Sequence, residues 1–199
     1  MDNIDPVIHG GGRDADAETG SSGDITTGVV MAHLCRRFGA WYRDEAILGM
    51  AAGRLTRKVL DGFQRGAVAA AVAAAAEPGE DDSASEQVPA LVIHSGHDVT
   101  VAPMISVVKD GGWDPEGGDL WPGYAAALRI ELLREERDDG ELFVRALYFP
   151  GFHLGNTGND GDLKVEFEPL TVRGTGAELV PFEDFRKAVE GIAFFKAEP

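Results

Sequence analysis

The spacing of apolar residues along this chain switches between helical and strand-like periods, and the switches mark its elements. From Thr26 or Thr27 the spacing is helical, with Val30, His33, Leu34, Phe38 and Trp41 near one face. A second, longer helix is expected after Gly49 or Gly53, with Leu55, Val59, Leu60 and Phe63 on its buried side and Arg54, Arg57, Lys58 and Arg65 on the other. An alanine tract ending at Ala76 forms its tail. Ala90 to His94 reads as a buried strand, because apolar and β-branched residues follow one another without alternation. Val101 to Lys109 suits a short helix. Ala125 to Arg134 and Glu141 to Phe149 alternate, and the EERDDG between them has the chemistry of a hairpin turn. A further strand is expected over Leu163 to Pro169, and a last helix from Pro181, where proline and acids occupy the first turn.

Between these segments lie stretches without period. Gly10 to Gly28 is rich in Gly, Asp, Ser and Thr, and Glu77 to Gln87 is acidic, so residues 10–28 and 77–88 are expected to be flexible loops. Gly111 to Pro122 is a loop carrying two tryptophans. The mixture of helices and strands, with no internal repeat, predicts an α/β fold: a sheet flanked by helices, in a single domain over residues 1–199.

Composition narrows the partners. With 44% hydrophobic and 26% charged residues the chain has ordinary globular usage, and 199 residues can bury one good core. A formal charge of -16 argues against nucleic acid or an anionic membrane as the main partner, since no local basic patch stands out in the sequence. The longest apolar run, Gly66 to Ala76, is too short to span a bilayer. No basic segment followed by an apolar core opens the chain, and the lone Cys35 has no internal disulfide partner. The expectation is a reducing, cytoplasmic setting.

Chemistry concentrates at one junction. In ALVIHSGHDVTVAPM a strand-like run reaches a Ser-Gly turn, then His97 and Asp98, then a helical pattern. Such a helix start presents unpaired backbone N–H groups, Val99's among them, and favours an anion. A protonated His97 can contact a phosphoryl oxygen, and a protonated Asp98 can hand a proton to a leaving oxygen. The plain alternative is an Asp that caps a helix beside a hydrogen-bonded His. His94, His97 and Asp98 offer no helical i, i+4 metal face and no distant third ligand, so no metal is expected. His33 reads as a core or boundary residue, and His153 sits in a Gly/Asn-rich loop with nothing to mark it. Cys35, although beside Arg36 and Arg37, reads as packing. Trp113, Trp121 and Tyr124 are candidates for a pocket wall near the His-Asp pair or for a packing plug, and Glu131 is taken as structural.

SGHDVTVAPM followed by DLWPGYAAALRIEL resembles the C-terminal signature of the histidine acid phosphatases. In that signature a strand ends in a small residue and His-Asp-x-Thr, and a helix, a Trp-Pro turn and a strand ending in Glu-Leu follow. LGMAAGRLTRKVLDGF, GELFVRALYFPG and VPFEDFRKAV resemble further pieces in the family's order, and LGMAAG with HDVT and WPGYA is nearest to the lysophosphatidic acid phosphatase subgroup. The resemblance covers roughly residues 45–195 and rests on the ordered set rather than on any one motif.

It implies phosphomonoester hydrolysis through a phosphohistidine, without metal or cofactor, on a histidine-phosphatase-like fold. Asp98 would be the proton donor, and His97 with the N–H of Val99 would hold the phosphate. The family's nucleophile lies in an Arg-His-Gly-x-Arg-x-Pro motif that this sequence lacks; the nearest string, VIHGGGRDAD, has Ile8 before His9 and places Arg13 one residue too far along. Val180 stands where the family has a cysteine, and Gly123 where it has a proline. The N-terminal catalytic part is therefore expected to be missing, with association through an exposed sheet as one consequence. A catalytically inactive pseudophosphatase that binds an anion or a partner is the alternative.

Overall fold

A computed structural model describes residues 27–75, 89–115, 121–135, 140–152 and 165–195. Helix α1 spans Thr27–Arg43, α2 Glu45–Ala75, α3 Asp98–Val108 and α4 Phe182–Ala193; strands are β1 Ala127–Arg134, β2 Leu142–Phe149, β3 Glu168–Leu170 and β4 Leu179–Pro181. The stretches expected to be flexible lie outside the described residues, except that Thr27 and Gly28 already belong to α1.

Asp44 separates the first two helices. Its Oδ1 accepts from the N–H groups of Ala46 and Ile47 at 2.9 and 3.0 Å, so α2 begins at Glu45 rather than after Gly49 or Gly53. Those glycines serve a different purpose. A Cβ on Gly53 would lie 2.6 Å from the Ile192 carbonyl oxygen, and one on Gly49 would lie 2.5 Å from Phe195 Cβ. They are where the end of α4 crosses α2. Arg57, expected on the outer side, donates from Nε and Nη2 to the Ala193 carbonyl at 3.2 and 3.0 Å and thereby caps α4.

The four strands form one antiparallel sheet around β2. β1 pairs with β2 from Ala127↔Phe149 to Arg134↔Leu142, while β3 and β4 share the other edge of β2. One face packs on the helices through Val144, Ala146, Leu128, Ile130 and Leu132. The other carries a polar cluster in which Glu131 Oε2 accepts from Arg145 at 2.6 Å and Glu131 also pairs with Arg129. That division is the signature of an antiparallel sheet with one covered face. Of the strand expected over Leu163 to Pro169, residues 163–164 lie outside the described residues, 165–167 have no regular structure, and Glu168 and Pro169 fall within β3.

α3 lies at the centre, with every residue from Ala102 to Val108 buried. It starts three residues earlier than the apolar spacing indicated, at Asp98. The buried strand expected over Ala90 to His94 is not formed. Residues 91–97 have no regular structure, and Leu91, Val92 and Ile93 are 75%, 57% and 80% exposed. A run that is apolar on both faces becomes a strand only between two pairing strands, and among the described residues none lies beside it. The His-Asp pair therefore follows an irregular segment, not the end of a sheet strand.

The contrast between buried and exposed apolar residues is measurable. Phe185→Ala, at a side chain 1% exposed and in ring contact with Phe63, should cost about 3–5 kcal/mol in denaturant unfolding. Leu91→Ala should change stability by no more than about 0.5 kcal/mol. A core-sized loss at Leu91 would mean that the segment is buried in solution.

Candidate functional site

His97 is the N-cap of α3, with φ -106° and ψ 171°, and its carbonyl accepts from Thr100 and Val101 at 2.8 and 3.1 Å. Its side chain makes no cap hydrogen bond. Asp98 is the first helical residue, not the cap. Its Oδ1 accepts from the Val99 N–H at 2.8 Å, and its Oδ2 accepts from Trp121 Nε1 at 2.5 Å. A carboxylate in the first turn of a helix also meets the positive end of the macrodipole. All three residues, His97, Asp98 and Val99, are exposed.

The N–H of Val99 is thus engaged by the neighbouring carboxylate. An anion arriving at this helix start would have to take it over from Asp98 Oδ1. Among the described residues the His97 side chain has no hydrogen-bond partner, whereas Asp98 is held from two sides.

An aromatic cluster supports the pair. The Trp121 ring lies 5.3 Å from Phe38 and 5.2 Å, edge-on, from Trp113. Phe38 stacks on Tyr42 at 6.0 Å. Trp113 is 1% exposed, and its backbone N–H donates to Ser106 Oγ at 3.0 Å. Trp113 is therefore a packing plug, while Trp121 is both plug and hydrogen-bond donor to the site. Tyr124, 70% exposed, belongs to neither arrangement.

Tyr42 was not legible as a site residue. It is buried, and its phenol is pushed above the ordinary tyrosine value, first by burial and second by the Asp98 carboxylate. The only sequence signal was its place four residues after Phe38 on α1, and that spacing indicates packing. Cys35 is half-buried and its thiol is likewise pushed up by burial, the reverse of what a reactive thiolate requires.

The remaining candidates lie apart. His94 is exposed in the irregular segment, and His33, expected at the core or its boundary, is exposed on α1. His9, Arg13 and His153 lie outside the described residues. Glu131 sits on the far face of the sheet in its arginine cluster, a structural place. Two shallow clefts of about 330 Å³ each open elsewhere, and neither is lined by His97 or Asp98. The first has Tyr42, Arg43 and Arg173 in its wall, but Arg43 pairs with Asp114 at 2.6 Å, and Arg173 donates to the Ser106 carbonyl at 2.9 Å and to Glu45 at 3.1 Å. Among the described residues no three His, Cys, Asp or Glu side chains gather as a metal ion would require, and no helix is long and apolar enough to cross a membrane.

The coupling between Tyr42 and Asp98 can be read by titration. A phenol whose folded pKa is raised contributes stability that is present below the unfolded tyrosine value near 10 and is lost as pH rises through the folded value. Unfolding free energy should therefore fall above about pH 10, and less steeply in Tyr42→Phe. In ultraviolet difference titration, Asp98→Asn should move downward the tyrosine transition that Tyr42→Phe removes; no movement would separate the two groups.

Compared with protein-family models, with curated proteins and with solved structures, the chain has no match.

Proposed function

We propose that this chain is the C-terminal part of a histidine acid phosphatase-like phosphomonoester hydrolase, in which Asp98 is the proton donor and His97 a phosphate ligand. One observation carries the reading. The His-Asp and Trp-Pro pieces of the resemblance, 23 residues apart, meet at the hydrogen bond from Trp121 Nε1 to Asp98 Oδ2. That contact gives an exposed carboxyl group a fixed orientation at a helix start, as a general acid needs.

In the proposed chemistry a histidine attacks phosphorus from the side opposite the leaving oxygen, the phosphorus–oxygen bond breaks, and Asp98 supplies the proton to the departing alkoxide. His97 and the Val99 N–H stabilise the charge on the transferring phosphoryl group. Water then attacks the phosphohistidine and releases phosphate. In this reading the attacking histidine comes from outside the described residues, since none of His33, His94 and His97 stands in the family's arginine-flanked motif. The uncovered Leu91 to Ile93 segment supports the same incompleteness, since it has the pattern of a strand paired on both sides.

The lack of an Arg-His-Gly-x-Arg-x-Pro motif in the sequence favours a second reading, a pseudophosphatase that binds an anion without turning it over. An in-frame segment of that type encoded upstream of Met1 would decide for the hydrolase.

Two measurements test the site. Inorganic phosphate, followed by chemical-shift perturbation, should map to residues 97–100, and His97→Ala should weaken it by roughly 1.5–3 kcal/mol, the range of one charge-assisted hydrogen bond. Perturbations centred elsewhere would remove the anion site from this helix start.

The isolated 199-residue chain should show no appreciable turnover of nitrophenyl phosphate between about pH 4 and 8, because Asp98 can donate only if a nucleophile attacks. Turnover that disappears in His9→Ala would make VIHGGGRDAD a working active-site loop and overturn the incomplete-site reading.

A further inference from the structure

Three aromatic side chains run outward from Asp98. Trp121 Nε1 donates to Asp98 Oδ2 at 2.5 Å, the Trp121 ring lies 5.3 Å from Phe38, and Phe38 meets Trp41 edge to face, also at 5.3 Å. Their ring neighbours Trp113 and Tyr42 are buried, whereas Trp121 and Phe38 are only partly buried and Trp41 is 40% exposed. A ligand at Asp98 therefore meets aromatic surface on this side. The row is also fixed at its outer end, where the Arg37 guanidinium lies 5.0 Å over the Trp41 ring. A separate observation ties α1 to the pair: the Tyr42 phenol, pushed up first by burial, is pushed further by the Asp98 carboxylate, so this part of the helix lies within reach of its charge.

We infer that Trp121, Phe38 and Trp41 form the leaving-group subsite of this centre and select phosphomonoesters of arylalkyl alcohols. The inference rests on the reading of Asp98 as the proton donor. The proton passes to the oxygen that leaves phosphorus, so that oxygen lies within hydrogen-bond reach of the Asp98 carboxyl group. Trp121 Nε1 is within the same reach of the same group. The first atoms carried by the departing oxygen are thus set beside the indole, and a larger group continues along Phe38 and Trp41. The reaction itself supplies what covers these rings. Their chemistry selects the group: aromatic pairs prefer offset or edge-to-face contacts with centroids about 4.5–7 Å apart, and they gain beyond the apolar area they bury. The row already keeps that spacing, so one more ring extends it in the same geometry. An alkoxide needs the proton of Asp98 far more than a phenoxide does, so the ring is borne on a carbon rather than on the leaving oxygen.

The test titrates the full chain with inorganic phosphate, benzyl phosphate and cyclohexylmethyl phosphate, followed by chemical-shift perturbation. The two esters match in charge and nearly in size, and differ in whether the ring is aromatic. Benzyl phosphate should bind about three- to tenfold more tightly than its saturated counterpart, with shifts at Phe38, Trp41 and Trp121 as well as at residues 97–100. Phe38→Leu and Trp41→Leu should each bring that preference toward one. Trp41 is exposed, so its variant reads the subsite even if Phe38→Leu, at a partly buried ring, disturbs the fold. Inorganic phosphate at residues 97–100 together with equal affinity for the two esters, or with a preference that neither variant diminishes, overturns the inference and leaves the reading of Asp98 intact. Benzyl alcohol that binds the three rings as tightly as benzyl phosphate also overturns it, because the ring site would then be independent of the phosphate. Inorganic phosphate that maps away from residues 97–100 overturns the reading of the site, and this inference with it.

Discussion

A helix that is apolar on every side survives in water only if it is covered on every side, and α3 imposes that condition on this protein. All seven residues from Ala102 to Val108 are buried. α2 covers one side, where Thr56 Oγ1 reaches Met104 Sδ at 3.7 Å, and α4 packs on α2 with Phe182, Phe185, Val189 and Ile192 turned inward. The sheet contributes Val144 and Ala146 to the same core, and Trp113 plugs it beside Ser106. Ser106 is tolerated because both its oxygens are satisfied: Oγ accepts from the backbone N–H of Trp113 and the carbonyl from Arg173. Pro103 inside the helix removes a donor, and the carbonyl that loses it belongs to Val99 in the exposed first turn, where solvent reaches it.

The same burial gives the candidate site its place. Over four residues α3 passes from an exposed first turn at Asp98 to a wholly buried body at Ala102, so the carboxyl group sits on the outer end of an element that cannot shift without disturbing the core. Trp121 extends that rigidity sideways. Its ring packs against Phe38 and Trp113 while its indole nitrogen holds Asp98, so α1, the Trp-Pro turn and the start of α3 converge on one carboxylate. The His97 side chain makes no cap hydrogen bond, and the pair thus combines a carboxyl group held from two sides with an exposed imidazole.

Two apolar surfaces escape the covering that α3 enforces elsewhere, and they differ in charge. Leu91 to Ile93 is neutral and apolar on both faces, the composition of a sheet interior. The open face of α1 at Val30, Leu34 and Trp41 lies on a helix with three arginines and no acidic residue, and the Arg37 guanidinium lies 5.0 Å over the Trp41 ring. Solvation separates them: the arginines of α1 keep its surface hydrated, and the neutral segment has no charged residue within it.

By itself the sequence determined the existence of α1 to α4 and of the β1–β2 hairpin, because periods of 3.6 and 2 are local properties of a chain. It also placed His97 and Asp98 at a helix start, since turn residues before a helical pattern are a local signal too. Only the tertiary structure decided what each apolar residue meets. The spacing of Val30, His33, Leu34 and Trp41 marks a face, but that face is largely open because the core ends at Phe38 and Tyr42. The β-branched run at Ala90 to His94 has strand composition, but a strand is made by its neighbours, and among the described residues none stands beside it. Gly49 and Gly53 looked like helix breaks and proved to be the crossing of α4, a contact between residues more than a hundred positions apart that no local pattern encodes. The bond from Trp121 to Asp98 belongs to the same class: each residue was visible alone, and the chain had to fold before one could hold the other.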